Sequence, residues 1–365
     1  MECPAISVDG CTITPASLTS WRTGRTGILA ELADFLADWW SDSPTMALQT
    51  SGSTGKPKLI HATKAAMRAS AAATCRAFGL QAGDSALLCL PLRYIAGQMM
   101  VVRALVGGLR LITTEPASTP LAGIAEEISF APLVPMQVAS TLALPDGAAQ
   151  LSRVRILLLG GGFVDPALEE QLQELPCRVF TSYGMTETLS HIALRPANGP
   201  ERSAFYTPLP GVGIALSPLG TLQISVSHLG IESLRTNDLA EIAPDGSFRI
   251  LGRVDAVINS GGVKIQAEEV EQELHRLTGL QVLALPQPHP VLGQCIALLW
   301  EGPADAETAL LAACDSLPRY HRPHLTRRVT LPRTASGKIA RAEALEFLAG
   351  NASSYPRAAE GRYLF

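Results

Sequence analysis

Positive charge is in short supply in this sequence. The 29 Lys and Arg residues are outnumbered by 33 Asp and Glu, giving a formal net charge of -4 at pH 7 and a pI near 6.0. No long basic run offers a polyanion a grip, which excludes a nucleic-acid partner on electrostatic grounds. No apolar run approaches the ~20 residues that a membrane span requires, so membrane insertion is not expected. The opening MECPAISVDG lacks the basic patch and apolar stretch of a signal peptide. The seven cysteines are odd in number and form no C-x-x-C pair. Disulfide frameworks and zinc sites are therefore unlike this chain, and free thiols in a reducing cytoplasm fit it better. Internal repeats and low-complexity tracts are absent. So is the G-x-G-x-x-G pattern after the first strand that a dinucleotide-binding dehydrogenase needs.

What is present is the composition of a globular protein: 47% of the 365 residues are hydrophobic and only 17% are charged. The length predicts two or more compact units. From about Ala47 onward, short apolar runs alternate with helical patterns. Strands are expected at Met46–Gln49, Ala86–Leu90, Leu109–Thr113, Phe130–Val134, Arg155–Leu159 and Cys177–Ser182. Helices are expected at Lys64–Phe78, Met99–Val106, Ile124–Ile128 and Pro166–Leu175. This alternation predicts an α/β fold with a doubly wound parallel sheet, whose ligands sit at the carboxyl ends of the strands. After about Gly211 the rhythm changes to short strands split by Gly, Pro and Asp-Gly turns, which predicts a small β subdomain. Beyond Gly252 the chain reads as a smaller α+β domain, so the expected division is 1–252 and 253–365.

Six motifs carry chemistry. Thr50-Ser51-Gly52-Ser53-Thr54-Gly55-Lys56-Pro57-Lys58 packs hydroxyls, glycines and two cations into one loop after a strand. Backbone N–H groups and hydroxyls there can wrap phosphate oxygens. Its glycines are too close for a Walker A loop. Gly160-Gly161-Gly162 ends a strand, and Ser182-Tyr183-Gly184-Met185-Thr186-Glu187-Thr188 ends another, the latter offering a carboxylate for a hard cation and a hydroxyl for a phosphoryl oxygen. Arg235-Thr236-Asn237-Asp238 and Gly252-Arg253-Val254-Asp255, with Ser260-Gly261-Gly262-Val263-Lys264-Ile265 behind, follow in order. Pro332-Arg333-Thr334-Ala335-Ser336-Gly337-Lys338 comes last. Taken singly, each has an ordinary reading as a surface turn or linker. Their order and spacing together do not.

In that order the motifs resemble the adenylate-forming superfamily of acyl-CoA synthetases, peptide-synthetase adenylation domains and firefly-type luciferases. The resemblance implies an enzyme that uses ATP, Mg²⁺ and coenzyme A, with a carboxylic acid as its small-molecule partner. It implies that residues 50–56 and Ser182 hold the nucleotide, that Tyr183 and Gly160 to Gly162 flank the adenine, and that Gly184 belongs to the same site. Thr186 would contact the α-phosphate, and Glu187 would hold Mg²⁺. Asp238 and Arg253 would bind the ribose, with Asn237 replacing the family's usual glycine. Asp255 would be an inter-domain hinge, Gly261 and Gly262 would line the pantetheine channel, and Lys338 would be the adenylation lysine.

The phosphate loop comes early for this family, which implies an N-terminally shortened fold. The string Tyr183 to Thr188 followed by Leu189-Ser190-His191-Ile192-Ala193 resembles one group within the family, the bacterial o-succinylbenzoate–CoA ligases of menaquinone biosynthesis. That acid has two carboxylates, so the one not activated needs a donor or cation. Arg93, Ser190 and His191 are the candidates, with Tyr94, Gly97 and Met185 beside them in the acid pocket. Arg93-Tyr94 stands where many members have an aromatic-His pair. The alternatives are a ligase for a different acyl or aryl acid and a non-catalytic nucleotide-binding homologue, and the latter would have lost Glu187 or Lys338. His321 and His324 have a metal-like spacing, but the intervening Pro and the lack of a third ligand favour a basic loop with Arg319, Arg327 and Arg328 that meets coenzyme A phosphates. A homo-oligomer is left open.

Overall fold

The computed structural model describes residues 5–49, 59–162, 164, 166–334 and 339–350. The phosphate-loop residues Thr50 to Lys58 and the segment Ala335 to Lys338 lie outside the described residues, as does the side chain of Asp255. The chain divides into two compact units, the first running to Asp255 and the second beginning at Ala256.

The first unit is organised by a nine-stranded sheet. Six of its strands are parallel and lie side by side in the order Ile6–Val8, Arg110–Thr113, Ser85–Leu88, Ile128–Leu133, Val154–Leu159, Arg178–Gly184. Apolar residues line both faces of these strands. Ala86, Leu88, Phe130, Ile156, Leu158 and Phe180 pack into one core with helices Gly27–Trp40, Lys64–Phe78 and Ile95–Gly107. Leu87, Ala131, Leu133, Leu157, Leu159 and Val179 pack into a second core with Pro135–Leu142 and Pro166–Gln171. A parallel sheet buried on both faces needs such continuous apolar runs. The chain leaves Ser85–Leu88 to one side and then returns to Ile128–Leu133 on the other. Crossovers therefore diverge at the carboxyl ends of these two strands, the place where open α/β sheets bind ligands.

Beside this sheet lies a four-stranded antiparallel one, Val212–Leu216, Thr221–Val226, Ile231–Ile242 and Phe248–Arg253. It is the expected β subdomain. In the second unit a five-stranded sheet carries helices Ala267–Thr278 and Glu307–Ser316 on one core and Arg341–Gly350 on another. No helix among the described residues is long and apolar enough to cross a membrane. The six described cysteines are unpaired and all but Cys11 are buried, where desolvation pushes their thiols up, Cys89 to about 12.

Three expectations differ from the structure. Ile124–Ile128 is not helical: Gly123 sits at φ 79, which ends local helical geometry, and Ile128 already starts a strand. Thr45–Gln49 pairs antiparallel with Leu59–Thr63 as a separate ribbon and does not join the parallel sheet. The helices Gly27–Trp40 and Pro135–Leu142 are additional to those read from the sequence.

Gly97 shows how tightly the carboxyl edge is assembled. A Cβ there would lie 2.5 Å from the Pro91 carbonyl oxygen and 2.6 Å from that of Leu90. Backbone atoms cannot move aside as a flexible side chain does. Gly97→Ala is expected to cost about 1–3 kcal/mol and to lower the thermal unfolding midpoint; an unchanged midpoint in differential scanning calorimetry would contradict this.

Candidate active site

The carboxyl edge of the parallel sheet carries two of the segments that the sequence singles out. Val154–Leu159 runs into Gly160-Gly161-Gly162, with Gly161 at φ 75. A Cβ on Gly160 would come within 2.9 Å of Ser182 Oγ, whose hydroxyl donates to the Leu159 carbonyl at 3.0 Å. The glycine therefore lets two neighbouring strand ends close up. Arg178–Gly184 ends one strand over, where a Cβ on Gly184 would strike the Ser190 carbonyl oxygen at 2.3 Å.

Met185 to Ser190 forms a tight turn above that strand end. Thr188 Oγ1 accepts from Met185 N at 3.0 Å and lies 2.8 Å from the Ser190 carbonyl. Leu189 is buried at φ 61, a left-handed geometry costly for a non-glycine residue. The turn holds it because Leu189 N bonds the Thr186 carbonyl and Ser190 N that of Thr188. Glu187 is exposed and has no ion pair among the described residues. Its oxygens suit a hard, oxygen-preferring cation such as Mg²⁺. Among the described residues, no cluster of three or more His, Cys, Asp or Glu offers a preformed metal cage.

Tyr183, Asp238 and Arg253 meet although they are distant in sequence. Asp238 and Arg253 are direct partners in the antiparallel ladder between Ile231–Ile242 and Phe248–Arg253. Arg253 Nη1 donates to Asp238 Oδ1 at 3.1 Å, and Tyr183 Oη donates to Oδ2 at 2.5 Å. Thr236 Oγ1 accepts the Asp238 N–H at 3.1 Å. Asn237 lies in the strand and is not among the residues with positive φ. The left-handed tolerance of Asn is therefore not what lets it replace glycine here. The Tyr183 ring packs edge-on against Phe248 at 5.3 Å and tilted against Tyr206 at 6.0 Å. Burial, and then the Asp238 carboxylate, push the Tyr183 phenol far above its usual range.

Among the described contacts, the arginine that reaches Ser190 is Arg103, not Arg93. Arg93 is exposed, its guanidinium 5.0 Å from the Tyr94 ring centroid, and lines a cleft of about 570 Å³ with Glu31, Asp34 and Asp38. Three carboxylates around it make that a poor place to receive another anion. Arg103, on helix Ile95–Gly107, donates through Nη2 to Ser190 Oγ. It is only 3% exposed, and no carboxylate pairs with it among the described residues. Its Nε–H is buried without a partner. Desolvation pushes the guanidinium down to about 10. A buried cation without an anion is costly. Ser190 Oγ also lies 3.3 Å from His191 Nδ1, and His191 Nε2 lies 3.2 Å from Thr74 Oγ1. Burial, and secondarily Arg103, hold His191 well below its usual range, hence neutral. The signal that finds Arg103 is a single charge within the otherwise apolar run IAGQMMVVRALVG. A helix apolar on all sides is buried, and its charge with it.

In the second unit Gly261 and Gly262 form the turn between Val257–Ser260 and Val263–Gln266 at φ 57 and 86. Two consecutive positive φ values are what a tight two-residue hairpin turn requires. Gly261 N bonds the Leu292 carbonyl at 2.9 Å. His324 packs against His289 at 5.3 Å. Of the expected basic loop, Arg319 is beside Tyr320 and Arg327 beside Phe347, each within 5.8 Å.

The model of AMP-binding enzymes matches residues 18–218. The chain belongs to that family. A solved acyl-CoA synthetase (AMP-forming)/AMP-acid ligase II-like protein from Dyadobacter fermentans is 36% identical, with a TM-score of 0.62 over 91% of this chain and 97% of its own. The 2-succinylbenzoate–CoA ligase of Lactococcus lactis is 26% identical over 331 residues, 84% of this chain and 72% of the relative. The o-succinylbenzoate CoA synthetase of Bacillus subtilis, solved with the acyl-adenylate intermediate OSB-AMP, shares the fold with a TM-score of 0.75 at 21% identity, covering 99% of this chain and 97% of that one.

The Tyr183 environment has a measurable consequence. A phenol raised in the folded state stays protonated while the unfolded one ionises near pH 10, so stability should fall as pH rises beyond that value. In a spectrophotometric titration of the six tyrosines, one should resist ionisation until unfolding. Tyr183→Phe should abolish the resistant fraction; its persistence would contradict the assignment.

Proposed function

We propose that the protein activates o-succinylbenzoate with ATP to an acyl-adenylate and transfers the acyl group to coenzyme A, releasing diphosphate and AMP. The observation that carries the choice of acid is the buried, anion-free Arg103 beside Ser190. A simple benzoate or fatty acid would leave that charge uncompensated, whereas a diacid supplies its partner. The names of several relatives agree with this choice.

In the first step the reacting carboxylate, already ionised near neutral pH, attacks the α-phosphorus of ATP and diphosphate leaves in line. The barrier is mainly charge repulsion and alignment, so the work of the protein is positioning. Tyr183 and the Gly160 to Gly162 segment flank the adenine. Asp238, with one oxygen on Tyr183 and the other on Arg253, is held rigid to accept from the ribose hydroxyls. Thr186 faces the α-phosphate, and Glu187 would hold Mg²⁺, which supplies charge neutralisation on the phosphates. The loop Thr50 to Lys56 cradles the phosphates, and Lys338 adds a positive charge to the developing transition state. In the second step the coenzyme A thiol adds to the acyl carbonyl and AMP leaves. The unit from Ala256 acts as a mobile lid turning at Asp255, withdrawing Lys338 and bringing in the Gly261-Gly262 turn. Cytoplasmic metabolism suits these substrates.

Lys338→Ala is expected to abolish ATP–diphosphate exchange and to spare thioester formation from supplied acyl-adenylate; equal loss of both would refute the lid mechanism. The acid is tested by mass spectrometry of reactions with ATP, Mg²⁺ and coenzyme A, using o-succinylbenzoate, benzoate and a fatty acid in separate tubes. Acyl-CoA and AMP should form far faster with the diacid than with either monocarboxylic acid. Arg103→Met should raise the KM for the diacid about 30-fold or more, in line with roughly 2 kcal/mol or more for breaking a buried charge pair. Equal turnover of benzoate by the unaltered enzyme would discard the assignment.

A further inference from the structure

We infer that Thr74 is a positioning residue for acid selection: through a one-way hydrogen-bond relay over His191 and Ser190 it keeps Arg103 the only donor offered to the second carboxylate of the substrate. The inference rests on the diacid reading above and deepens it. Its logic begins at the guanidinium, which can donate but never accept. Arg103 Nη2 reaches Ser190 Oγ, so the serine oxygen accepts there and its own hydrogen must go elsewhere. The other side-chain partner described for Ser190 Oγ is His191 Nδ1, at 3.3 Å. Nδ1 is therefore the acceptor, and the neutral imidazole carries its proton on Nε2. That Nε2–H points to Thr74 Oγ1 at 3.2 Å. Thr74 accepts it and passes its own hydrogen to the Ser70 carbonyl at 3.3 Å. Every hydrogen in the relay runs away from Arg103.

Burial makes this direction consequential. Thr74 is 0% and His191 8% exposed, so water does not offer alternative partners. Phe78 meets the His191 ring edge-on at 6.3 Å, fixing the ring between helix Lys64–Phe78 and the strand His191–Pro196. With its hydrogen committed to His191, Ser190 cannot donate to a ligand, and a second proton on His191 would face both that hydrogen and Arg103. The pocket thus holds one cation, Arg103, whose N–H groups other than the one on Ser190 have no described acceptor. Without an acceptor at residue 74 the imidazole is free to move its proton to Nδ1, which turns the Ser190 hydroxyl around and displaces Arg103.

Thr74→Val preserves shape and removes the acceptor. It should raise the KM for the diacid about tenfold, the scale of one buried hydrogen bond, with kcat and the residual turnover of a monocarboxylic acid unchanged. Thr74→Ser should restore the KM. Nitrogen-15 NMR of labelled histidine, with the His191 signal identified by its loss in His191→Asn, should show the Nε2–H tautomer in the unaltered protein and a shift toward Nδ1–H in Thr74→Val. An Nδ1–H tautomer in the unaltered protein, an unchanged KM in Thr74→Val, or equal losses for both acids would overturn the inference. Absence of turnover with every acid would instead sink the functional reading, and the tautomer measurement would still decide the relay.

Discussion

Parallel strands covered on both faces leave only their ends within reach of water. In the first unit the two cores on either face are apolar, so a polar loop packed there would lose its hydrogen bonds. The carboxyl ends are where the loops after Leu88, Leu159 and Gly184 emerge side by side, because parallel strands all end at the same edge. The glycine segment, the Tyr183 to Ser190 turn and the Arg93 loop are neighbours for that reason. Close approach there is bought with glycine: Gly97, Gly160 and Gly184 each stand where a Cβ would meet another atom within 3 Å.

Against this apolar background one charge stands out. Arg103 lies on a helix whose other residues form the core, and nothing anionic among the described residues compensates it. Its desolvation is offset only in part by Ser190. An enzyme that must tell a diacid from a monoacid gains from such an arrangement, since the wrong substrate leaves the cation buried and unpaired. The neutral His191 beside it prevents a second positive charge from blurring that distinction.

The Tyr183, Asp238 and Arg253 cluster uses the opposite strategy. Asp238 is already satisfied by Arg253 and Tyr183, so its carboxylate is oriented before any ligand arrives. Pre-ordering of this kind lowers the entropy cost of binding.

The sequence alone was enough for the alternation of strands and helices and for the family, because each is a local pattern of apolar period, turn residues and short spacing. Helix Lys64–Phe78 matches its expected bounds for that reason, and short strands follow Gly211 as expected. What only the tertiary structure decided is which residues meet. Asp238 and Arg253 are joined by strand register, which motif spacing does not encode. Arg103, rather than Arg93, reaches Ser190 because helix Ile95–Gly107 turns its charged residue inward while the preceding loop leaves Arg93 at the surface. Thr74 finds His191 across 117 residues of chain. A hydrogen bond between residues so distant depends on how whole elements pack, and no local pattern in the chain announces it.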